Sequence, residues 1–153
     1  EAIAEYINEL VPDPVMLPEN IQDRATARAL SRLHDTRIEP LLRAYFSQIS
    51  PEHRDIGFIR ENAALLENRL TQLAKIVSPA PFMTGNELSL ADCGFASSFA
   101  ILHCVQALLG FELAMPQTLR NYERALCAHP SVRNEHAAYI GVLDDWAGAK
   151  LRG

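Results

Sequence analysis

The run from Gly85 to Phe111, GNELSLADCGFASSFAILHCVQALLGF, limits the folds open to this chain more than any other stretch. From Cys93 onward it holds no Asp, Glu, Lys or Arg until Glu112. A helix apolar on nearly every face has no side to offer water, so it runs through the middle of a bundle with other helices laid around it. Its start is marked by Ser89 and Asp92. The serine hydroxyl can cap the backbone N–H three positions on, and the aspartate can reach back to the N–H of Ser89, which is the spacing of a capping box. Leu88 is placed to pack over Cys93 as a hydrophobic staple. Removing either box partner is expected to cost about 0.5–2 kcal/mol.

A membrane span is the competing reading of this run. Ser97, Ser98, His103 and Gln106 are spread around it and Asp92 lies in its first turn. The stretch after Cys93 is barely long enough to cross a bilayer, and polar groups in lipid are expensive. A buried helix of a soluble protein is therefore expected. Valine and isoleucine are few beside alanine and leucine, and no useful period-two run occurs, so a sheet is not expected.

The remaining chain supplies the surrounding helices. Glu1 to Leu10, EAIAEYINEL, reads as a helix with Ile3, Tyr6, Ile7 and Leu10 along one side. It opens abruptly, without a methionine or an approach segment, which suggests truncation. Val11 to Asn20 carries three prolines in seven residues and reads as an extended connector, an interdomain crossing or, alternatively, a short connector within one domain. Asn20 or a neighbour opens a helix to about Gln48, with Leu30, Leu33, Ile38, Leu41, Leu42 and Tyr45 inward and Arg24, Arg28, Arg32, Asp35, Glu39 and Arg43 outward. Pro40 must kink it. Ser50-Pro51-Glu52 reads as the start of a helix to about Val77, buried along Ile59, Ala63, Leu66, Leu70, Leu73 and Val77. After the central helix, Pro116 opens one through about Ala128, with Leu119, Tyr122 and Leu126 on one side. Ser131 can cap a last helix from Val132 to about Trp146, with a tail expected to fray. The fold class is an all-α bundle of about five helices around one buried helix, preceded by a helix of something else: 1–11 a preceding domain, 12–20 a linker and 21–153 the helical domain.

At 153 residues and 48% hydrophobic content the chain fills one core. Its formal net charge of -5 gives no electrostatic reason to expect a nucleic-acid partner. Three cysteines, with no C-x-x-C and no secretory or lipidation signal, suit buried thiols in the cytoplasm. Cys93 lies near a helix N-terminus, which lowers thiol pKa values, but is expected to pack inside. The five histidines are too scattered for a metal site, and His103 reads as a core or interface residue. Ser89 and Asp92 have no histidine placed in sequence to complete a triad, so they read as structural.

Four segments in order resemble one family, the cytosolic glutathione transferases. GNELSLAD (Gly85 to Asp92) resembles the start of the core helix of their C-terminal domain, and PQTLRNYERALCAHPSV (Pro116 to Val132) the next helix and its turn. LPEN followed by Arg24-Ala25 resembles the start of the first domain helix, and EAIAEYINEL the last helix of the thioredoxin-like domain. The resemblance implies glutathione as co-substrate, no metal, a small electrophilic or apolar substrate, and a homodimer, with no nucleic acid or membrane involved. It also implies that the thiol-activating residue and the cis-proline lie in the thioredoxin-like domain. This chain would then supply only the hydrophobic-substrate wall and be inactive alone. Arg28, Arg32, Asp35, Thr36 and Glu39 lie on the helix face that looks across the cleft in such enzymes, the alternatives being a solvated helix face or, for the acids, a salt bridge between domains, and Trp146 either roofs the cleft or closes the domain. The alternatives are a glutathione-dependent isomerase or dehalogenase, and a non-catalytic interaction module of the same fold.

Overall fold

The computed structural model describes residues 2–152. Glu1 and Gly153, assigned above to the first helix and the tail, lie outside that span. The regular elements of the described chain are helices: α1 (Ala2–Leu10), α2 (Ile21–Leu33), α3 (Glu39–Ala44), α4 (Ile56–Ile76), α5 (Phe95–Leu109), α6 (Gln117–Ala128) and α7 (Pro130–Arg152). The only strand-like pairing among the described residues is an isolated bridge between Phe82 and Gly85. The all-α bundle expected from the sequence is present. Its centre is α5, which packs against α3, α6 and α7 and buries Phe95, Ser98, Phe99, Ala100, Ile101, Leu102 and Val105. Each large apolar side chain fully buried this way stabilises the fold by about 1.5–3 kcal/mol. Phe95 and Phe99 each meet the ring of Tyr122 edge-on, at 5.7 and 6.0 Å between centroids. Gly110 ends α5 in the left-handed conformation, at φ 71°, where a residue without Cβ carries no penalty.

The entry to α5 is built differently from a simple capped first turn. Residues 90–94 form turns and regular helix begins at Phe95, so the Ser89–Asp92 box closes the turn that precedes the helix. Asp92, only 2% exposed, accepts at Oδ2 from the Ser89 N–H (2.9 Å) and the Ser89 hydroxyl (3.0 Å). At Oδ1 it accepts from the Met83 N–H (3.0 Å) and the Tyr122 hydroxyl (2.9 Å). The Ser89 oxygen accepts from the Ala91 N–H, two positions on rather than three. The box thus spans the turn before α5, the entry itself and α6. Burial, and after it the charge of Asp92, push the Tyr122 phenol well above its ordinary value, so it stays protonated and donating.

The first long helix is not uniform. Asn20 caps α2 as expected, accepting from the Gln22 and Asp23 N–H groups. After Leu33 the helix widens into a π-turn at His34–Ile38, closed by the Glu39 N–H donating to the His34 carbonyl, and α3 follows with Pro40 in its first turn. Proline cannot donate into the ladder; the disruption expected at Pro40 is taken up one turn earlier by this extra-residue turn. The buried positions explain its place. Leu30, His34, Ile38 and Leu42 recur every four residues, and in an ideal helix each such step drifts about 40° around the axis. A π-turn absorbs that drift and keeps all four facing the core. Leu33 and Leu41, expected inward, are only half-buried.

Several boundaries differ from the sequence reading. Ser50 caps nothing; Pro51–His53 form a short tight turn, and α4 starts at Ile56 with Asp55 Oδ1 accepting from the Phe58 N–H at 3.0 Å. Arg54 instead ties the preceding turn by donating to the Gln48 and Ile49 carbonyls. The last helix starts at Pro130, needs no Ser131 cap, and continues through Gly148 to Arg152 rather than fraying. His103 is exposed, not in the core, and bonds Glu123 across from α6. The thiols are not uniformly buried: Cys104 and Cys127 are half-buried, Cys93 is exposed, and all three are free.

Removing the Asp92 carboxylate takes the acceptor from four buried donor groups, which places Asp92→Ala above the ordinary cost of a lost cap. We expect a loss of about 3 kcal/mol or more, read as a drop of about 6–12 °C in unfolding midpoint. Tyr122→Phe, which leaves three of the four bonds, should cost about 1–2 kcal/mol. Equal midpoints for the two variants in thermal melts would count against this ordering.

Candidate functional site

Two cavities flank the entry to α5. The connector between α1 and α2 is strapped across this entry by two hydrogen bonds, from the Leu90 N–H to the Met16 carbonyl (2.8 Å) and from the Met16 N–H to Asn8 Oδ1 (2.8 Å). Between that strap, residues 87–97 and the first turns of α7 opens a cavity of about 720 Å³. A second, of about 220 Å³, lies where α1, α2 and the α5 entry meet, walled by Glu5, Arg28, Ser31, Asp35, Leu90 and Gly94. Cys93 lines both. Its thiol is pushed up first by the desolvation of the surrounding atoms and then by the charge of Asp92. A raised pKa keeps it protonated, the opposite of the activated thiolate that a helix N-terminus favours.

In the smaller cavity Arg28 grips Glu5 with both arms, Nε to Oε1 at 2.7 Å and Nη2 to Oε2 at 3.1 Å. This paired, charge-assisted geometry is the strong form of the interaction, and the Arg28 hydrogen bond is the main reason the Glu5 carboxyl titrates low. Beside it runs a chain from Asp35 through His34 to Ser98: Asp35 Oδ1 lies 2.8 Å from His34 Nδ1, and His34 Nε2 lies 2.8 Å from Ser98 Oγ. The order matches a hydrolytic triad. Its position does not, because Ser98 is 3% exposed inside the bundle and lines neither cavity. A nucleophile has to reach its substrate, so this chain satisfies buried polar groups and links the π-turn to α5. The His34 ring also packs on Phe95 at 4.7 Å and closely against Gly94, where a Cβ would lie 2.3 Å from the ring.

The sequence candidates are distributed unevenly around this geometry. Arg28 and Asp35 share the smaller cavity. Arg32 and Thr36 are exposed on the same helical segment, with the Thr36 hydroxyl donating back to the Arg32 carbonyl. Glu39 bonds Arg43 one turn on. Trp146 lines neither cavity and lies half-buried on Phe46, ring centroids 4.8 Å apart. The sequence reading missed the burial of His34 and its bond to Ser98; it expected the last helix at a substrate wall but named none of the α7 residues that line the larger cavity. The four-residue spacing of Leu30, His34, Ile38 and Leu42 was the available signal for the first. Among the described residues no three His, Cys, Asp or Glu side chains converge as a metal set, and no helix is long and apolar enough to cross a membrane.

No protein-family model and no curated protein sequence matches this chain. Solved structures do. A glutathione transferase Omega 3C from Trametes versicolor superposes with a TM-score of 0.69 at 21% identity, covering 84% of this chain and 57% of that one. A glutathione S-transferase-I bound with lactoylglutathione gives 0.69 at 20%, covering 90% and 67%. A ternary complex of BphK, a bacterial glutathione transferase, gives 0.66 at 19%, covering 90% and 66%. The chain therefore has the helical fold found in glutathione transferases, and spans between 57% and 67% of the length of these structures.

Two outcomes follow for the packing and charge of this region. Gly94→Ala should destabilise the protein by about 1–3 kcal/mol, because a methyl group there drives the His34 ring off Ser98; chemical denaturation measures it, and an unchanged midpoint would refute the close fit. The Glu123 hydrogen bond is the main cause of a raised His103 pKa. The stability it adds is fully present below the unfolded histidine value, about 6.5, and fades as pH rises through the raised folded one. Glu123→Gln should remove that part of the pH dependence in melts between pH 5 and 8.

Proposed function

We propose that this chain is the substrate-side helical part of a glutathione transferase-like protein, which activates glutathione as thiolate and delivers it to an electrophilic, largely apolar compound. The observation that carries the reading is the fold likeness to three glutathione transferases across 84–90% of the chain. In this reading residues 1–11 are the end of a thioredoxin-like domain, 12–20 a crossing and 21–153 the helical domain. Support comes from α1, which buries no residue and leaves Ile3 (77%) and Tyr6 (61%) open along one side. A helix of that kind is suited to covering by more protein.

Glutathione is then held and activated by the preceding domain. Arg32, Asp35, Thr36 and Glu39 form the polar part of the substrate wall, with Arg28 oriented by Glu5 and Trp146 as the aromatic candidate. A cation on this wall would act by stabilising negative charge that develops on the substrate, and the paired domains by holding thiolate and electrophile together. Two copies associate through the α2 and α4 region, where Phe58 and Leu65 are exposed on α4.

Conjugation of glutathione to 1-chloro-2,4-dinitrobenzene tests the proposal. The 153-residue chain alone should show no turnover above the uncatalysed rate, and a longer protein in which a thioredoxin-like domain precedes it should show turnover. Activity of the chain alone, or a longer dimeric protein without glutathione-dependent turnover of any electrophile tried, would sink the reading, the second in favour of an interaction module. Sedimentation of the same sample reads the dimer.

A further inference from the structure

The larger cavity has a charge character that a pocket for glutathione-like anions would not have. Its volume of about 720 Å³ falls within the range of small-molecule sites. Its walls are apolar over Val15, Met16, Leu88, Ala96, Val132 and Tyr139. The charged groups on it are all of one sign: Asp13, Glu87 and Glu135 reach it from the strap, the α5 entry and α7, and no lysine or arginine lines it. Asp92 also borders it, but both of its oxygens are already occupied by the four donors of the capping network. The imidazoles of His129 and His136 complete the polar lining, and His136 Nδ1 is buried without a hydrogen-bond partner.

We propose that this cavity binds a small amphipathic cation, a protonated amine carried on an apolar body of about two rings. The apolar walls take the body, and the carboxylates of Asp13, Glu87 and Glu135 select the amine and repel an anion of the same shape. The three acidic residues line the cavity from three separate parts of the chain, each of them exposed, so the selectivity belongs to the folded cavity and not to an acidic run in the sequence. Transferase activity is neither required nor excluded by such binding.

Calorimetric titration of the purified protein at low salt with 4-(1-naphthyl)butylamine and 4-(1-naphthyl)butanoate tests this, since the two probes share a body and differ in charge. The amine should saturate at one equivalent and bind at least tenfold more tightly than the acid. Glu87→Gln combined with Glu135→Gln should weaken the amine at least tenfold and narrow the preference. Ala96→Phe, which puts a ring into the apolar part of the cavity, should weaken amine binding at least tenfold. Should the double variant fail to fold, Asp13→Asn on the exposed strap gives the same reading with a smaller loss. No saturable amine binding, equal or tighter binding of the acid, or charge-neutralised and cavity-filled variants that keep the parent's amine affinity would overturn the proposal.

Discussion

Asp92 holds a carboxylate where almost no water reaches it, and the surrounding structure is arranged to make that tolerable. An uncompensated buried charge would cost several kcal/mol. Four donors from three places in the chain converge on its two oxygens. The consequence is architectural. The turn at Met83, the entry at Ser89 and the middle of α6 are fixed relative to one point, and α5 then leaves that point into the core. With α5 placed, α3, α6 and α7 have a common surface to pack on.

The second constraint comes from the other side of α5. The π-turn at His34–Ile38 turns a histidine inward against Gly94 and Ser98. A regular helix over 34–38 would rotate Ile38 and Leu42 away from the face on which His34 is packed. Gly94 has room only for the ring. The pair of devices, a carboxylate on one flank of the α5 entry and an imidazole on the other, explains why a helix with so few polar groups still has a single register.

Much of this was legible in the sequence because its causes are local. The charge-free run announced a buried helix, and the serine and aspartate three apart announced the Asp92-to-Ser89 bond, though the helix itself begins only at Phe95. Buried ridges such as Ile59, Ala63, Leu66, Leu70 and Leu73 followed from helical spacing. What could not be read depended on partners distant in sequence. The third and fourth donors to Asp92, Met83 and Tyr122, are nine and thirty residues away, and Ser98 is sixty-four from His34. Ser50-Pro51 had every mark of a helix start, yet Asp55 won because its side chain reaches the Phe58 N–H. His103 belongs to the apolar run but faces outward, since even a central helix keeps one edge open where α6 presents Glu123. The candidate residues on α2 and α3 were placed by resemblance, and the larger cavity had no sequence signature because its walls come from three segments.

α1 is held in a different manner from every other helix. It buries no residue, and among the described residues it is tied to the bundle by the Arg28–Glu5 fork and to the strap by the Met16 N–H donating to Asn8. Hydrophobic packing is nearly indifferent to salt, whereas an ion pair with one partner 43% exposed is screened by it. In mechanical terms α1 is an outrigger on two struts rather than a stave of the barrel. Its amides can exchange with solvent through openings that leave the other helices closed, and salt, by screening the fork, makes those openings easier.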